Sequence, residues 1–201
     1  MTGSGRYHGR ASSIADPLPV LLRTALPLLL ASVAATASAA PLDLPALIEC
    51  RQGVADHAAL APLLADPLKA VANGLQPLPQ ANQFMTEFRL ANPITVFGQQ
   101  TDHIAVAGAS VMAVLDQADP HPLATRLALE TGYDQGGKFM AGREVVSRDV
   151  IDPKTGEAQI ESIILSVSTV ASHPGRTLAG CTYSLDLPAE DEAPGDAASG
   201  H

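Results

Sequence analysis

From Glu157 to Leu187 apolar and polar side chains alternate with a period of two: Ile163, Leu165 and Val167 against Ser162, Ser166 and Ser168, then Ala179, Cys181, Tyr183, Leu185 and Leu187 against Gly180, Thr182, Ser184 and Asp186. A period of two places alternate residues on opposite faces of a strand. The intervening Ser172-His173-Pro174-Gly175-Arg176 pairs a fixed φ with a permissive one, so the two runs are expected to fold back as a hairpin across an exposed turn. Cys181 falls on its apolar side. Ile160 and Ile164 add apolar surface to the opposite face, which predicts a central first strand.

Upstream, the period changes. Leu44, Leu47, Ile48, Arg51 and Val54 recur at helical spacing behind Asp43, a good N-cap, with Pro45 tolerated in the first turn; a helix from Asp43 to Gln52 is expected. A second is read from Asp56 to Leu64, capped by Asp56, and a further turn from Pro67 to Asn73-Gly74. Pro77-Leu78-Pro79 then marks the change to β structure. Phe84, Thr86, Phe88 and Leu90 alternate with Met85, Glu87 and Arg89, a strand whose Phe side should be buried. Asn92-Pro93 reads as a turn, Ile94 to Phe97 as a second strand, and His103 to Leu115 as a third with a bulge or close approach at Gly108. Pro120 to Leu129 form a short helix, Arg143 to Ile151 a fourth strand, and Asp152-Pro153-Lys154-Thr155-Gly156 a turn into the hairpin.

Strands and helices do not alternate, which excludes a doubly wound parallel sheet. The expectation is an α+β fold: N-terminal helices on one face of an antiparallel meander of about five to six strands, with a short helix inserted after the third strand.

The apolar run Leu26 to Val33, preceded by Arg23 and followed by Ala37-Ser38-Ala39, has the pattern of a secretory signal peptide with a long n-region over residues 1–39. The run is too short for a spanning helix. The expected divisions are then a signal peptide (1–39), one globular domain (40–187) and an acidic, disordered tail (188–201) without a large apolar residue. Three of the 12 basic and one of the 21 acidic residues precede the expected cleavage point, so the remaining chain carries nine basic and 20 acidic residues, a net charge of −11. That charge argues against nucleic acid and against a grip on anionic lipid, and fits a basic protein partner. Cys50 and Cys181, the only two cysteines, should pair in an oxidising, periplasmic or secreted setting and tie the first helix to the last strand.

Motifs that would carry chemistry are weak. Gly132-Tyr133-Asp134-Gln135-Gly136-Gly137-Lys138 matches the first part of a phosphate-binding loop, but Phe139 stands where the magnesium ligand belongs, so the stretch reads as a flexible connection pinned by Tyr133, Phe139 and Met140. His57, His103, His121 and His173 lack H-x-x-x-H or H-E-x-x-H spacing and read as surface or capping residues; Glu87, Glu144 and Glu161 read as solvated strand charges. Ser110 lacks a nucleophile elbow. No catalytic, cofactor or metal residue is assigned. The function expected is a small non-enzymatic exported binding domain, an inhibitor or immunity-type partner of a secreted enzyme, with Tyr133, Phe139, His173 and Arg176 as partner-contact residues. The alternatives are an envelope hydrolase whose carboxylates or histidines converge only in the fold, and a small-ligand carrier.

Overall fold

The computed structural model describes residues 42–188, which lie within one compact unit, Ala40–His201. The expected signal peptide and residues 189–201 of the expected tail lie outside the described residues. Four short helices come first, α1 (Leu44–Ile48), α2 (Val54–Ala58), α3 (Ala61–Leu64) and α4 (Pro67–Ala72). Then follow β1 (Leu75–Pro77), β2 (Thr86–Val96), β3 (Gln99–Ala107), β4 (Ser110–Leu115), α5 (His121–Arg126), β5 (Glu130–Gln135), β6 (Lys138–Ile151), β7 (Ala158–Ser168) and β8 (Thr177–Asp186).

The α+β class and the antiparallel pairing agree with the expectation; the strand count does not. One eight-stranded sheet runs β1-β2-β3-β4-β8-β7-β6-β5. Two four-stranded meanders enter from opposite edges and meet where β4 pairs with β8. The chain crosses from the centre to the far edge through the α5 segment.

The extra strands have local causes. The run His103 to Leu115 breaks at Gly108 (φ +56°), which with Ala109 makes a two-residue turn, leaving Ala107 opposite Ser110. Asn92-Pro93 does not turn the chain; it lies inside β2, where the register shifts between Arg89 and Ile94 and a proline without N–H is tolerated. The glycine-rich stretch is no loose connection either: Gly136 and Gly137 (φ +60° and +77°) form a tight turn that pairs Gln135 with Lys138, creating β5. Phe84, expected on a buried face, precedes β2 and is 76% exposed.

The helices are shorter than their patterns. Asp43 caps α1 through Ala46 N–H (2.9 Å), but Cys50 with φ +57° ends the run before Gln52. The expected Asp56 to Leu64 helix divides into α2 and α3, with Pro62 opening the second; Asp56 is not the cap but accepts from Gly53 N–H (3.1 Å).

The main core lies between these helices and one face of the sheet. It joins Leu47, Ile48 and Leu60 to Phe88, Ile104, Val111, Ile163, Leu165, Cys181 and Tyr183. Cys50 and Cys181 form the expected disulfide, with Cα atoms 5.5 Å apart and a sequence separation of 131. Such a bond fits an oxidising compartment. No helix among the described residues is long and apolar enough to cross a membrane. The opposite face carries a smaller cluster, Met85, Ala105, Met112, Val114 and Leu178, against which Val170 of the β7–β8 connection packs.

Candidate functional site

Glu87 and His103 belong to neighbouring strands. Glu87 pairs with Ala105 and Arg89 with His103, so the two are diagonal neighbours on the sheet, and their side chains meet at 2.8 Å between Oε2 and Nε2. The third member comes from the β7–β8 connection, 86 residues beyond Glu87: His173 Nε2 lies 3.0 Å from the same Oε2. Asn82 Nδ2 donates to Ser172 Oγ (3.2 Å), and Ser172 Oγ lies 3.0 Å from His173 Nδ1, which fixes that ring from behind. Glu87 and His173 are buried, at 4% and 8% exposure, and Glu87 Oε1 has no hydrogen-bond partner among the described residues.

His103 also lines a polar cleft of about 330 Å³ with Thr101, Asp102 and Asp116. Its two arginines are already paired, Arg89 with Asp102 (2.6 Å) and Arg176 with Asp116 (3.3 Å). Asp102 thus serves Arg89, while the buried Glu87 carboxylate faces the His103 ring.

His57 and His121, the other two histidines among the described residues, belong to neither group. His121 holds Asp119 at 2.6 Å and Asp134 at 3.0 Å on its two ring nitrogens, and these bonds, that to Asp134 foremost, raise its pKa. His57 stacks on Tyr183 with centroids 4.8 Å apart, and burial lowers its pKa. Glu161, read as a solvated charge, is buried: Oε1 accepts from Val54 N–H (3.1 Å) at the start of α2 and Oε2 accepts from Arg148 Nε (2.6 Å). Glu144 remains exposed and accepts from Ser162 Oγ (2.7 Å).

Of the four residues expected at a partner surface, Tyr133 on β5 is 45% exposed and Arg176 presents its side chain beside Asp116. Phe139 and His173 are buried; His173 turns in against the sheet, while Pro174, Gly175 and Arg176 of the same turn are exposed as expected. Further exposed features lie elsewhere. β5 pairs with β6 only from Lys138 to Gly142, so among the described residues no strand pairs with the outer side of β6 from Arg143 to Ile151. At the end of that edge is a groove of about 450 Å³, lined by Val54, Ala55 and Ala58 of α2 and by Val150, Ile151 and Leu185 among others. Ile151 is 65% exposed and Leu185 48%.

Comparison with family models, with curated proteins and with solved structures gives no match. The class that the fold defines is an α+β domain with an eight-stranded antiparallel sheet and a Glu-His-His cluster whose Glu87 and His173 are buried and whose His103 is half-buried.

The sequence contains the strand parity that puts Glu87 opposite Phe88, but no signal that a distant turn covers the polar side. His103 and His173 are 70 residues apart in sequence and in no recognised spacing.

Proposed function

We propose that this chain is an exported, non-enzymatic binding domain that takes a protein partner along the open side of β6. The observation that carries the reading is the stretch Arg143 to Ile151, unpaired on its outer side among the described residues and continuous with the apolar groove at Ile151 and Leu185. An open strand offers a row of main-chain donors and acceptors, which a partner segment satisfies by adding a strand; a groove at its end takes an apolar anchor. Arg143, Glu144, Arg148 and Asp149 along the edge discourage indiscriminate pairing and leave room for selection by charge. The net charge of −11 over residues 40–201 steers a basic partner. An inhibitor or immunity-type relation to a secreted enzyme of the periplasm is the finer form of this reading.

The test uses mature protein as bait in an envelope extract. A stoichiometric protein retained by the wild type, weakened by salt and lost with Ile151→Asp or Leu185→Asp, supports the proposal. Retention unaffected by both substitutions, or nothing retained, overturns it.

A further inference from the structure

We propose that Glu87, His103 and His173 bind a divalent transition-metal ion of the zinc class, held between the sheet and the β7–β8 connection. Two imidazole nitrogens and one carboxylate oxygen are a donor set suited to zinc, with copper and nickel as competitors. The three donor atoms already converge, all within 4.8 Å of one another. Glu87 Oε2 lies 2.8 Å from one Nε2 and 3.0 Å from the other. Ligands around one tetrahedral ion at bonds of about 2.1 Å stand roughly 3.4 Å apart, so these two contacts need to open by about half an ångström while the two nitrogens, within 4.8 Å of each other, settle to the same spacing.

The carboxylate supplies an independent argument. Glu87 is 4% exposed and its Oε1 is buried without a hydrogen-bond partner among the described residues. A buried acceptor left unpaired is costly and uncommon. An ion at the cluster neutralises the charge of this buried carboxylate through Oε2, and bidentate ligation would give Oε1 its partner as well. The surroundings also suit ligation: coordination through His173 Nε2 leaves Nδ1–H to donate to Ser172 Oγ, the kind of outer support that orients metal-bound imidazoles. His103, with 21% of its side chain exposed, opens on the polar cleft and gives the ion a way in. Ligands from β2, β3 and the β7–β8 connection make the ion a clasp that holds the connection to the sheet. This inference stands apart from the proposed partner surface, which involves none of these residues.

Tag-free mature protein, stripped with a chelator, is titrated with Zn²⁺ alone by calorimetry, and with Co²⁺ while visible absorption is recorded. One ion per chain is expected, with the visible bands of a low-coordinate Co²⁺ site. His103→Ala and His173→Ala should each weaken Zn²⁺ binding on the order of a hundredfold or more, since losing a ligand costs at least as much as losing an outer-shell partner. His121→Ala should leave it unchanged. Absence of both the heat and the Co²⁺ bands in the wild type overturns the proposal without recourse to a variant. So does binding that survives in His103→Ala or is lost in His121→Ala, and the cluster is then a hydrogen-bonded clasp only.

Discussion

The Tyr183 hydroxyl donates to the Leu47 carbonyl oxygen at 2.6 Å, joining β8 to α1 across 136 residues of sequence. Leu47 is fully buried and Tyr183 is 2% exposed, so neither group exchanges this bond for water. Tyr183→Phe removes this bond and leaves the carbonyl with Cys50 N–H (3.2 Å) as its donor, and should cost about 0.5–1.5 kcal/mol in denaturant unfolding. Burial, with a smaller contribution from Asp56, pushes the phenol pKa up to about 12. A raised folded-state pKa contributes stability that is complete below the unfolded value near 10 and is lost as pH rises through the folded one. The wild type should therefore lose stability from about pH 10 to pH 12, and Tyr183→Phe should lose less over the same window.

The disulfide reinforces the same junction. Cys50 follows α1 and Cys181 lies on β8 opposite Leu165, so the bond links the first helix to the centre of the sheet. Closing a loop of 131 residues restricts the unfolded chain by on the order of 4–5 kcal/mol in the chain-entropy estimate, an upper figure for most measured cases. Reduced protein should have a lower Tm, and digestion of unreduced protein should release a Cys50–Cys181 cross-linked peptide. Two free thiols in protein recovered without reductant would contradict this.

Strand parity made the β7–β8 hairpin legible. Ile163 opposite Tyr183 and Leu165 opposite Cys181 is the pairing that two alternating runs around one turn imply, and β7 is central, between β6 and β8. Two features exceeded that local logic. Pairing β8 with β4 depends on where α5 delivers the chain, and a short helix carries no mark of whether the next strand lands beside the last one or at the far edge. The burial of Glu87 depends on residues 169–176 folding over its face, so a charge that alternates correctly for solvent is enclosed by a segment far along the chain. The short glycine turns at Gly108 and at Gly136-Gly137 were visible as breakers, but a single apolar run and a flexible connection explained them equally well without the pairing partners.

His121 is exposed and sits between two carboxylates, Asp134 on β5 and Asp119 before α5. Its pKa is raised by its bond to Asp134 and then by its bond to Asp119. The stabilisation from the charged ring is fully present below the unfolded value near 6.5 and fades as pH rises through the folded value. Imidazole NMR should give His121 a higher pKa than a free histidine, and Asp134→Asn should bring it down. An unchanged value in Asp134→Asn would show that the bond does not form in solution.

Glu161 occupies one strand position and serves two elements. Its Oε1 accepts from Val54 N–H, one of the free donors at the start of α2, and its Oε2 receives Arg148 from β6, so the carboxylate joins a helix to two strands. The backbone bond from Val54 is the leading cause of its lowered pKa, with Arg148 adding to it against the opposing effect of burial. A depressed carboxyl pKa contributes stability that is present above the unfolded value near 4.3 and is lost as pH falls through the folded one. Glu161→Gln keeps an acceptor for Val54 but removes the charge; it should lower Tm at pH 7 and flatten the loss of stability on acidification below about pH 4. Glu161→Ala also removes the acceptor, leaving Val54 N–H unpaired, and should lower Tm further. Arg148 is 66% exposed in its side chain, so Arg148→Ala should cost less than either. If Arg148→Ala proves the most damaging of the three, the ion pair rather than the cap on α2 holds this corner together.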